Sequence, residues 1–108
     1  MRLAMDISEF KTKAPVAAEF LKLLANENRL GILCNLLEGE KSVNELEELL
    51  GLRQSTLSQH LAVLRRERLV KTRRSAQFIF YSLANPQVAT IMGTLYEIYC
   101  GPEAPKTV

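Results

Sequence analysis

Two short amphipathic segments joined across a glycine constrain this fold more than any other feature. They are SVNELEELLG, Ser42 to Gly51, and QSTLSQHLAVLRR, Gln54 to Arg66. Ser42 and Glu45 have the spacing of a capping box, in which each side chain satisfies an orphan backbone N–H of the other residue. Val43, Leu46, Leu49 and Leu50 give the short helix that follows its apolar residues, and Gly51 supplies the left-handed position that stops it. In the second segment, at 100° per residue, Leu57, Leu61 and Leu64 fall within about a 60° arc. Ser55, Ser58, Gln59, Ala62 and Arg66 occupy the opposite side. One face is built for a core and the other is free to read something. Two such helices form a helix-turn-helix, whose second helix can lie in a DNA major groove.

The flanking sequence completes the frame. Ala17, Phe20, Leu21 and Leu24 predict a helix from about Thr12 to Ala25, with Pro15 in its first turn, and Ile7 and Phe10 extend the stripe one turn earlier. Asn26 caps a helix through Leu37 with Leu30, Leu33, Leu36 and Leu37 as core candidates, ended by Glu38-Gly39-Glu40. Val70–Arg73 and Phe78–Leu83 read as two strands around Arg74-Ser75-Ala76-Gln77. Asn85-Pro86 opens a last helix, with Val88, Ile91, Met92, Leu95 and Tyr99 on one face as far as Cys100. Gly101-Pro102 end it, and the tail beyond is expected to fray. The fold class is mainly α with a small β-hairpin: a winged helix-turn-helix of about five helices plus a two-stranded wing, forming a single domain over residues 1–108.

Charge sharpens the reading. The net charge of +2 conceals a middle segment, residues 53–74, with 7 Lys/Arg against 1 Asp/Glu, while residues 1–52 hold 6 against 9. A +6 stretch on an acidic scaffold is an electrostatic footprint for phosphate. No apolar run approaches the roughly 20 residues that span a bilayer, and MRLAMDISEF lacks the apolar core of a signal peptide, so a cytoplasmic protein is expected. Cys34 and Cys100 are then expected as thiols. No C-x-x-C motif, phosphate-cradling glycine loop or histidine spaced beside a nucleophile points to an enzyme.

Within this frame Gln54, Ser55, Ser58 and Gln59 are expected near base edges and phosphates of double-stranded DNA, with Thr56 and Arg66 at the margin. Arg73, Arg74 and Gln77 on the wing are expected at the backbone or minor groove, while Arg65, Arg68 and Lys71 add charge. His60 lies on the shoulder of the apolar stripe and reads as a packed or phosphate-bonded histidine.

Four stretches together resemble one family: ANENRLGILC (Ala25 to Cys34), SVNEL (Ser42 to Leu46), S-x-H-L-x-x-L-R (Ser58 to Arg65) and AQFIFYSL (Ala76 to Leu83). They are similar to the ArsR/SmtB winged-helix repressors. The resemblance implies a homodimer joined through its first and last helices and bound to an inverted-repeat operator. It also implies glycine where this chain has Arg68, and commonly glycine at the wing tip, where Ser75-Ala76 stand. A non-glycine residue there needs a strained or different turn. The family's metal sensors carry a cysteine pair at the start of the third helix, where Asn44, Glu45 and Glu47 stand here. No metal or other cofactor is expected.

Cys34 adjoins Leu30, Leu33 and Leu37 and, read alone, is a small buried hydrophobe. Cys100 lies off the apolar arc of its helix. As a pair they resemble the thiols of the dithiol repressors of the BigR and SqrR kind, which implies sensing of reactive sulfur species, persulfide or polysulfide, and release of DNA on bridging. A direct disulfide needs α-carbons within about 7 Å, whereas extra sulfur atoms lengthen the reach. The related HlyU-like regulators imply an alternative, a redox-responsive activator or anti-silencer of virulence genes.

Overall fold

The structure, a computed structural model, describes residues 5–102; the expected fraying of the tail falls mainly on residues 103–108, outside them. Its elements run α1 (Ile7–Leu24), α2 (Glu27–Leu36), β1 (Lys41–Ser42), α3 (Val43–Leu50), α4 (Gln54–Arg66), β2 (Val70–Ser75), β3 (Phe78–Leu83) and α5 (Pro86–Cys100). This is the winged helix-turn-helix expected, with one addition. Instead of a two-stranded wing there is a three-stranded antiparallel sheet, in the order β1-β3-β2. Lys41 and Ser42 pair with Tyr81 and Phe80, so the residue that caps α3 also ends a strand. A strand of two residues leaves no period-2 signal to read.

Local chemistry sets most boundaries. The Asn26 carboxamide accepts from the Asn28 and Arg29 N–H groups, and the Asn85 side chain accepts from Val88 N–H, with Pro86 in the first turn of α5. At α3 both halves of the Ser42–Glu45 capping box are formed, and Gly51 ends the helix at φ 64°. Asp6 caps α1 from Ser8 and Glu9 N–H, which starts the helix at Ile7 rather than Thr12. Pro15 therefore lies inside α1 and not in its first turn as the sequence predicts: the Asp6 cap begins the helix before the proline, which then forfeits one internal hydrogen bond. β2 also outruns its expected end at Arg73, reaching Ser75, and leaves only Ala76-Gln77 as the turn.

The core is one cluster in which Leu33, Leu36, Leu46, Leu57, Leu61 and Leu64 meet Leu69, Val88 and Met92. Ile32, not among the core candidates read from the sequence, is fully buried, whereas Leu49, one of the apolar residues of α3, is 56% exposed. Gly31 lets α3 lie close to α2: a Cβ there would stand 3.0 Å from the end of the Leu50 side chain. α1 buries only Leu24; Ile7, Phe10, Val16 and Leu21 stay exposed, as do Tyr96, Ile98 and Tyr99 on α5. The two terminal helices thus carry apolar faces that are left exposed among the described residues.

Candidate nucleic-acid interface and thiol pair

Burial of Leu57, Leu61 and Leu64 pins α4 to the core and fixes which side of it faces outward. Gln54, Ser55, Ser58 and Gln59 are exposed on that outer side, as are Ala62 and Arg66, while Thr56 and His60 are half-buried at its edges. Desolvation, with the Arg29 charge second, lowers the His60 pKa, so the imidazole is held neutral more firmly than a free one. Arg53, at the N-cap of α4, offers no side-chain acceptor to the first turn, unlike Ser42 at α3 and Asn85 at α5. Backbone donors at the start of the reading helix are therefore left available beside a cation.

Across from α4 stands the wing. β2 and β3 pair in register from Val70↔Leu83 to Ser75↔Phe78, which places Gln77 at the tip and Arg74 opposite Ile79. Between wing and helix lies an open groove of about 500 Å³ lined by Ser42, Asn44, Gln54, Ser58, Gln77 and Tyr81, among others. Gln54, Ser58 and Gln77 are thus brought to one concavity. Asn44 and Tyr81 share it and were not marked by the sequence, because no periodicity shows that the α3 N-terminus and the inner face of β3 converge. The other predicted wing residue, Arg73, is exposed but paired with Glu40. Arg66 makes only a loose, exposed contact with Glu67 at 3.5 Å.

The two positions where glycine was expected both have left-handed backbones. Arg68 has φ 66° and Ala76 φ 55°. Arg68 sits just past the end of α4, where its N–H donates to the Arg65 carbonyl and Leu69 N–H donates to that of Leu64. These are the two bonds of a Schellman motif, which normally carries glycine at that point.

The thiols lie on packed helices. Cys34, in the last turn of α2, is half-buried against the core and lines a cavity of about 320 Å³ with Asn35, Leu37, Glu38 and Tyr96 of α5. Cys100 is exposed and free, four residues beyond Tyr96, which sets it on the same side of α5 about 6 Å further along. Among the described residues no group of three or more His, Cys, Asp or Glu is gathered where it could hold a metal ion, and no helix is long and apolar enough to cross a membrane.

Residues 26–72 match the model of the bacterial regulatory protein arsR family. The transcriptional activator HlyU of Vibrio cholerae is 48% identical over 96 residues, 89% of either chain. The chain belongs to the ArsR family. It is accordingly a transcriptional regulator, of a family whose members bind operator DNA, typically as dimers. A second relative, the biofilm growth-associated repressor of Agrobacterium fabrum, is 46% identical over 104 residues, covering 92% of this chain and 89% of that one. Solved ArsR-family structures agree. The repressor BigR from Xylella fastidiosa superposes with TM-score 0.83 at 43% identity, over 89% of this chain and 98% of that one. Reduced HlyU from Vibrio cholerae gives TM-score 0.81 at 49% identity, over 85% and 97%.

Proposed function

We propose that this ArsR-family chain is a homodimeric repressor that binds an inverted-repeat operator and senses reactive sulfur species through Cys34 and Cys100. The observation that carries the sensing reading is the cavity between α2 and α5, with Cys34 in its wall beside Tyr96 and Cys100 one helical turn further on. DNA contact falls to Gln54, Ser55, Ser58 and Gln59 on α4, with Thr56 and Arg66 at the margin, and to Arg74 and Gln77 on the wing.

The second copy covers the exposed apolar faces of α1 and α5, where Phe10 is 61% and Tyr96 49% exposed. Ala89, Thr90, Gly93 and Thr94 leave a shallow, small-residue surface on α5 against which another helix can pack closely. Two reading helices about 34 Å apart then match one turn of DNA.

An organic polysulfide, RS–S–S–SR, is both sulfur donor and oxidant for the pair. The Cys100 thiolate attacks an inner sulfur and expels RSS⁻, leaving Cys100–S–S–SR. The Cys34 thiolate then attacks the middle sulfur and expels RS⁻, leaving a trisulfide between the helices. The bridge ties α2 to α5, and α5 is also the proposed dimer helix, so bridging strains the spacing of the reading helices. For a tenfold loss of DNA affinity, it need disfavour the DNA-bound geometry by only about 1.4 kcal/mol.

Substitution of either thiol tests the switch. Cys34→Ser and Cys100→Ser are expected to bind a fragment of the protein's own promoter as the parent does, and to keep it after polysulfide treatment. Release of DNA by either treated variant contradicts the switch. The 48% identity to the Vibrio cholerae activator supports a second reading, a regulator that activates rather than represses. Transcription from a reporter promoter with and without the protein separates the two.

A further inference from the structure

One ion pair joins the wing to the body of the domain outside the groove. Arg73 donates from Nε to Glu40 Oε2 at 2.9 Å and from Nη2 to Oε1 at 2.6 Å, across 33 residues of sequence. Its guanidinium also lies 4.8 Å from the centre of the Phe80 ring. Phe80 stands directly opposite Arg73 in the β2–β3 register and opposite Ser42 in the β1–β3 register. Glu40 immediately precedes β1, so the pair closes across the whole width of the sheet.

Strand alternation separates Arg73 from its neighbour. Arg74 is opposite Ile79, on the face of β3 that Tyr81 shares; Ile79 and Tyr81 line the groove, as do Phe78 and Ser42 from the other face, whereas Phe80 and Arg73 do not. Arg73 is on the other face, with Phe80. The guanidinium of Arg73 holds the Glu40 carboxyl below its ordinary range, and Glu40 raises Arg73 in turn. Single surface ion pairs contribute little, but a bidentate arginine–carboxylate geometry stacked on a ring is the kind that fixes orientation. Among the described residues Arg74 makes no ion pair.

We propose that Arg73 is a positioning residue, clamped by Glu40 and Phe80 to set the angle of the wing over the groove, while Arg74 is the wing cation that meets DNA phosphate. The inference rests on the DNA-binding reading above. Glu40 then acts on DNA affinity without touching DNA.

The test is a salt series of promoter binding by fluorescence anisotropy, paired with amide hydrogen exchange of the free protein. The double variant Glu40→Gln/Arg73→Gln keeps the net charge of the parent. It is expected to bind about fivefold more weakly with an unchanged slope of log affinity against log salt, whereas Arg74→Gln flattens that slope by about 0.9, one phosphate contact. In the free protein Glu40→Gln and Arg73→Gln are expected to speed exchange of the β2–β3 amides, Arg73→Lys less so, and Arg74→Gln not at all. A double variant whose slope falls by about 0.9, or whose affinity equals the parent's, overturns the proposal, as does unchanged exchange in Glu40→Gln. Failure of the parent chain to bind promoter DNA instead overturns the DNA reading, and the exchange data still decide the clamp.

Discussion

At the scale of single residues, Arg68 and Ala76 have the most telling backbones. Both adopt positive φ, which costs an L-residue with a Cβ roughly 1–2 kcal/mol. The family resemblance marked these two places, by implying glycine at the end of α4 and at the wing tip. Arg68→Gly and Ala76→Gly are each expected to raise unfolding free energy by about 1 kcal/mol in urea titrations. A loss of stability at either site would mean that the side chain, not the backbone, governs it. The capping box carries the opposite prediction. Ser42 accepts from Glu45 N–H at 3.1 Å and Ser42 N–H donates to the Glu45 carboxylate at 2.8 Å. Ser42→Ala should cost about 1 kcal/mol, read in the same titration.

Elements were legible in proportion to how local their causes are. The bounds of α4 and β3 match the sequence reading because a leucine stripe, Leu57 to Leu64, and a Phe-Ile-Phe-Tyr run, Phe78 to Tyr81, each fill most of the element. The α1 start was misplaced because Asp6, not Pro15, decides it. β1 was invisible because its two residues acquire strand geometry only by pairing with Tyr81 and Phe80. The thiols and the α4 face were marked from sequence, whereas Asn44, Tyr81 and Glu40 enter only through contacts between distant segments. His60, on the edge of α4, gives this scale its pH dependence. Its pKa is lowered in the fold from 6.5, so the unfolded chain binds more protons just below that value. Stability attributable to His60 is fully present above about pH 6.5 and is lost as pH falls through the folded value. Glu40, Glu45 and Asp6 have lowered carboxyl pKa values, and their contributions fade only in the more acidic window below about 4.5. Melting temperatures between pH 7 and pH 5 should therefore fall, and His60→Gln should flatten that fall. An equal fall in the variant would assign it elsewhere.

For the whole molecule, two surfaces divide the work. The basic α4 and wing face outward on one side, the exposed apolar faces of α1 and α5 are where the proposed second copy packs, and the cavity that holds Cys34 lies between α2 and α5. Tyr96→Asp combined with Ile98→Asp is expected to yield a monomer by analytical ultracentrifugation and to abolish tight operator binding, since one reading helix engages only a half-site. A dimer persisting in that variant would place the interface elsewhere. The proposed switch couples sulfur chemistry at Cys34 and Cys100 to DNA release. Its most direct measurement titrates the reduced protein with labelled promoter DNA before and after a polysulfide donor and, separately, diamide, and weighs each sample by mass spectrometry. Loss of binding with the polysulfide alone, accompanied by one or more added sulfur atoms linking Cys34 to Cys100, is the predicted result. Equal loss with both reagents through a plain disulfide, or bridging with no loss of binding, would contradict it.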